Sequence, residues 1–86
     1  MSYECEINGC GKKAVYCFEW YGVNQFGEDP EIVGERNVCS DRNHLLRGSE
    51  HDDYGFAESI IDIETYEELP SLLEDILNDF QLSLKF

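Results

Sequence analysis

Apolar and polar positions alternate most clearly over residues 14–23, Ala-Val-Tyr-Cys-Phe-Glu-Trp-Tyr-Gly-Val, where aromatic and β-branched side chains dominate. That pattern predicts a strand with Ala14, Tyr16, Phe18 and Trp20 on one face and Val15, Cys17, Glu19 and Tyr21 on the other. Residues 24–31 turn polar and carry Gly27 and Pro30, which suits a long hairpin loop. A returning strand over about 32–39 then ends at Cys39. Ser40 is placed to cap a short helix reaching about Arg47, with Gly48 as its stop. Residues 49–58 are polar and acidic and read as a loop.

The pattern changes period further on. Ser59–Glu64 predicts a short third strand. Thr65 and Glu68 have the spacing of a capping box for a helix over 66–84. Pro70 either sits in the first turn of that helix or marks a restart. Leu69, Leu72, Leu73, Ile76, Leu77, Phe80 and Leu84 share one helical face, and Glu74, Asp75, Asn78 and Asp79 the other. The apolar face is expected to cover the chain's own sheet, or alternatively to pair across a two-fold axis in a homodimer. The aromatic strand poses the same choice, since both of its faces are partly apolar and one is available to a partner.

Within this frame the chemistry concentrates at Cys5, Cys10, Cys39 and His44. Residues 5–13 look like a turn carrying two cysteines, with Gly9 and Gly11 able to take positive φ. Zinc prefers four thiolate or imidazole ligands in a tetrahedron. A cysteine pair on a tight turn supplies half of one, and a distant pair closing a long loop supplies the rest. Cys39 at a strand end and His44 at a helix start are placed for that second half. His51 is the substitute for His44, and Cys17 a weaker one; both also suit bland roles, Cys17 as a small core residue and His51 as a solvated loop residue. The even cysteine count would also suit two disulfides, or simply buried thiols. Four protein ligands argue for a closed structural site rather than a catalytic one, which keeps a position open for water.

Residues 5–47 resemble small treble-clef or zinc-ribbon-like proteins, in which a Cys-x-x-x-Gly-Cys knuckle precedes a hairpin and a Cys…His pair follows. The resemblance is to a fold class and implies Cys5, Cys10, Cys39 and His44 as ligands of one structural zinc. The second pair departs from the commoner spacing by having four intervening residues where two are usual. No deaminase pattern, phosphate-cradling glycine motif, nucleophile elbow or EF-hand spacing accompanies it.

Composition limits the remaining options. A chain of 86 residues is expected to be a single domain with a small core that a metal would help to stabilise. Its net charge of −13 is uneven, with eleven acids and only Lys85 as a base beyond residue 49. That balance argues against direct binding to nucleic acid or an anionic membrane, and for attraction to a basic protein surface. No apolar run reaches membrane-spanning length. The N-terminal residues carry neither a basic region nor an apolar stretch, which predicts a cytoplasmic protein whose cysteines meet metal more readily than one another.

The expected architecture is thus α+β: a zinc-stabilised, treble-clef-like unit with a β-hairpin, a short helix and a C-terminal amphipathic helix. The expected function is non-enzymatic, a protein-interaction module or regulator. Its candidate contact residues are Glu50, Asp52, Asp53, Glu58, Glu67, Glu68, Glu74, Asp75 and Asp79. One alternative is an acidic mimic of nucleic acid that inhibits a DNA- or RNA-binding protein. Another is a metal-dependent enzyme or metal carrier.

Overall fold

The computed structural model describes residues 3–22 and 30–83. Most of the expected hairpin loop at 24–31, Val23 and the helix-face residue Leu84 lie outside the described residues.

Strand β1 (Tyr16–Gly22) lies at the centre of a three-stranded sheet, between β2 (Glu31–Val38) and β5 (Ser59–Asp62). Both pairings are antiparallel, with Phe18 opposite Arg36 on one side and Ile60 on the other. The aromatic alternation of β1 has the predicted consequence: Phe18 and Trp20 are fully buried with Val38, Ile60 and Ile76. Fully burying one apolar side chain of this kind contributes roughly 1.5–3 kcal/mol. The opposite face of β1 is buried as well, at Cys17 and Glu19.

Helix α1 (Arg42–Gly48) follows β2 after three residues. Its cap is Asp41 rather than Ser40: the Asp41 carboxylate accepts from the Asn43 N–H at 2.9 Å. Gly48 is the last helical residue, not a left-handed stop, and Ser49 closes the helix in the right-handed region. The need for glycine at 48 is steric. A Cβ there would stand 2.7 Å from Val38 Cγ1.

The expected loop at 49–58 instead contains a small antiparallel pair, β3 (Glu50–His51) with β4 (Gly55–Phe56). Two bonds hold it, one of them long-range. Trp20 Nε1–H donates to the Gly55 carbonyl at 2.9 Å, and the Ala57 N–H donates to the Ser49 carbonyl at 2.7 Å.

Helix α2 (Pro70–Ser83) begins four residues later than position 66. The segment ahead of it belongs to the sheet. Asp62 caps a turn through the N–H groups of Glu64 and Thr65, Tyr66 adopts φ 62°, and the Leu69 N–H bonds to the Ile60 carbonyl. Thr65 therefore serves this turn, with its hydroxyl accepting from Glu67, and Pro70 takes the first helical position. The apolar face of α2 covers the sheet core as expected: Ile76 is fully buried, Leu69, Leu72 and Leu73 pack beside it, and Phe80 meets Phe56. Glu74, Asp75 and Asn78 are exposed. Asp79 is half-buried, where it receives the Arg42 guanidinium and ties α2 to α1.

Candidate metal centre

The cluster is assembled from three separate pieces of chain. The first is the turn at 5–13. The Cys5 N–H donates to the Lys12 carbonyl at 2.8 Å, and Ala14 N–H to Tyr3 at 2.8 Å, so the segments flanking the turn pair with each other. Cys10 N–H closes the turn onto the Ile7 carbonyl at 3.1 Å. Gly9 and Gly11 bracket Cys10 at φ 81° and 68°, a left-handed backbone that β-carbon residues resist.

The second piece is the end of β2. The Glu6 N–H bonds to the Asn37 carbonyl at 2.9 Å, and the Glu6 carboxylate accepts from the Asn37 N–H at 2.6 Å. These bonds dock the turn against the strand that delivers Cys39. The third piece is the first turn of α1, where Asp41 starts the helix so that His44 is its third residue.

The result is one group of donors. Cys5, Cys10 and Cys39 Sγ atoms and a His44 ring nitrogen all lie within 4.8 Å of one another. Cys10 and Cys39 sulfurs are 3.6 Å apart, and His44 Nδ1 is 3.2 Å from Cys39 Sγ. Two thiolates bound to one tetrahedral zinc at ordinary bond lengths stand about 3.8 Å apart, and a thiolate and an imidazole about 3.5 Å. All four cysteines are free thiols, and the 3.6 Å separation is far beyond a disulfide bond of about 2.05 Å.

The backbone is arranged to support negative sulfur. Burial alone would push the Cys5 thiol up. Hydrogen bonds from the backbone at Ile7 and Cys39, and from the Cys10 and Cys39 side chains, outweigh it and hold Cys5 below the ordinary thiol value. Cys39 is pushed up, first by burial and then by its two neighbouring cysteines, although the Asp41 backbone opposes this. In the absence of a cation Cys5 and Cys39 thus compete for negative charge, and a divalent ion relieves that competition. Cys5 and Cys39 also belong to the core alongside Phe18 and Leu45, so the cluster is continuous with the hydrophobic interior.

The other candidates stand elsewhere. His51 lies outside the cluster; its ring packs on Trp20 and Tyr54 at 5.4 and 4.6 Å, and its Nδ1 accepts from the Asp53 N–H. Cys17 lines the far face of the sheet. The backbone donors at Ile7 and Asp41 had no side-chain signature in the sequence. Asp41 as the helix cap could have been found, because Asp and Ser compete at adjacent positions and both are good caps.

The three-cysteine, one-histidine set is geometrically consistent with one structural zinc site. With the order knuckle, hairpin and helix, the architecture is α+β and treble-clef-like. Comparisons with family models, curated proteins and solved structures found no match to this chain.

Proposed function

We propose that this chain is a small acidic, zinc-stabilised module that acts non-enzymatically by binding a basic protein. Cys5, Cys10, Cys39 and His44 are the ligands of its single zinc. Four protein donors complete a tetrahedron and leave no position for a substrate or an activated water. The metal's role is then to close the loop between the knuckle and the β2–α1 junction, and binding energy becomes folding energy.

The observation that carries the interaction reading is the contrast between this cluster and the acids. Two of the four donors are buried, whereas Glu50, Asp52, Asp53, Glu58, Glu67, Glu68, Glu74 and Asp75 are all exposed. Exposed carboxylates in such excess attract a basic surface over distances up to about 8–10 Å at moderate salt. Asp79 differs, since Arg42 already engages it.

The test is affinity capture from cell extract with the zinc-loaded chain, alongside a variant in which Glu50, Asp52, Asp53 and Glu58 become Gln or Asn. Basic proteins should be enriched by the parent chain and lost with the variant. Enrichment that survives neutralisation removes the reading. Competition by excess DNA would assign the surface to the alternative role, a mimic of nucleic acid.

A further inference from the structure

A groove of about 310 Å³ opens on the sheet face opposite Phe18 and Trp20. Cys17 and Glu19 lie deep in it, at 6% and 8% exposure, while the rings of Tyr3 and Tyr66 stand at its edge, 50% and 77% exposed. Ile61 and Glu35 also line it.

Two features of this groove are unfavourable to the chain alone. Glu19 and Glu35 are direct cross-strand partners in the β1–β2 register, and like charges so placed destabilise a sheet. Glu19 Oε1 accepts the Tyr21 hydroxyl at 2.9 Å, yet among the described residues no ion pair reaches either glutamate. Lys13 is paired with Glu64, and Arg36, next to Glu35 in β2, is engaged by the Trp20 ring and the Gly48 and Glu50 carbonyls. The second feature is Tyr66. A non-glycine residue at φ 62° pays roughly 1–2 kcal/mol, and here the result is an aromatic ring held out into water. Strain of this kind gathers at ligand clamps.

The field inside is negative. The Cys17 thiol is pushed up to about 11, by burial first and then by Glu35 and Glu19. The converging group of metal-donor side chains among the described residues, Cys5, Cys10, Cys39 and His44, lies outside this groove.

We propose that this groove receives a lysine or arginine side chain of the partner protein, its cationic end between Glu19 and Glu35 and its stem against Tyr3 and Tyr66. The proposal rests on the acidic-module reading and names where a basic partner is gripped. Opposed carboxylates supply charge-assisted hydrogen bonds, and the tyrosine rings cover the apolar stem.

The experiment is a nitrogen-15 NMR titration of the zinc-loaded full chain with capped Gly-Arg-Gly and Gly-Lys-Gly peptides, and with the neutral citrulline peptide as control. Shifts should concentrate at Cys17, Glu19, Glu35, Ile61 and Tyr66 with the cationic peptides and be absent with citrulline. Glu35→Gln, at an exposed position, and Tyr66→Gly, which relieves the backbone strain, should each weaken binding about tenfold while the spectrum stays folded. Shifts spread over residues 50–58 and α2, and unchanged in both variants, would overturn the groove but leave the acidic module standing. Absence of any shift with the cationic peptides would also overturn it, and affinity capture would still judge the broader reading separately.

Discussion

His44 Nδ1 stands 3.2 Å from Cys39 Sγ, although a strand end, a cap and a helical turn separate the two residues. The gap of four residues closes because Asp41, extended at φ −63° and ψ 127°, starts the helix two positions after Cys39. His44 is thereby turned back toward the strand it follows. In the sequence His44 and His51 are chemically equivalent candidates; the bend at Asp41 separates them.

Replacing the two histidines one at a time should therefore give different outcomes. His44→Ala should lose the one-to-one zinc stoichiometry in native mass spectrometry. His51→Ala should keep it, and lose only about 0.5–1.5 kcal/mol of stability with its aromatic contacts to Trp20 and Tyr54. Zinc retention by His44→Ala together with zinc loss from His51→Ala would reverse the assignment.

Chelation should unfold the chain rather than merely empty a surface site, because Cys5 and Cys39 are part of the same buried cluster as Phe18 and Val38. Circular dichroism before and after adding a strong chelator under reducing conditions reads this directly. Unchanged spectra after complete metal removal would mean that the core stands without the ion.

Gly48→Ala should destabilise the zinc-loaded protein by about 1–3 kcal/mol, since overpacking at a tight contact forces backbone or rotamer shifts. The new methyl would meet Val38 Cγ1 at 2.7 Å and Phe18 Cε2 at 3.5 Å. Urea denaturation of the two proteins measures the difference. Equal midpoints would show that Val38 yields freely.

Alkaline pH offers a separate check on the far face of the sheet. Cys17 keeps its proton in the folded state up to about 11, above the ordinary thiol value of 9.0. An unfolded chain releases that proton earlier, so the stabilising effect is complete below the ordinary value and fades as pH rises toward about 11. Tyr21, raised first by its bond to Glu19, acts in the same direction. Thermal melts of parent and Cys17→Ala over this window should show a shallower decline in the variant. Parallel declines would assign the loss to other groups.

The metal donors and the central strands were legible because their signals are local. Thiols and an imidazole are distinct in kind, and the aromatic alternation of residues 16–22 has one sensible strand reading. The start of α2 was not. Thr65 and Glu68 do have capping-box spacing, but the Asp62 carboxylate, accepting from the Glu64 and Thr65 N–H groups, and the Leu69 N–H, donating to the Ile60 carbonyl, draw that stretch onto the sheet edge. Local capping is worth about 1 kcal/mol, and tertiary pairing outweighs it. The same holds at 49–58, where the Trp20 indole anchors a small hairpin that its polar composition gives no reason to expect. Nothing local in the sequence marks Glu19 and Glu35 as opposite one another; strand register alone brings them together.

By itself the sequence determined the donor types, the burial of the β1 aromatics and the concentration of acids after residue 49. Those depend on side-chain chemistry and on the two-residue and 3.6-residue periods that any strand or helix imposes. Only the tertiary structure decided that His44 rather than His51 joins the cysteines, that Gly48 must lack a β-carbon, and that two glutamates oppose each other beside a strained tyrosine. Each of these is a distance between residues on different elements. Such distances follow from strand register and from how the elements pack; the side-chain period places a residue on a face without naming the residue that stands opposite it.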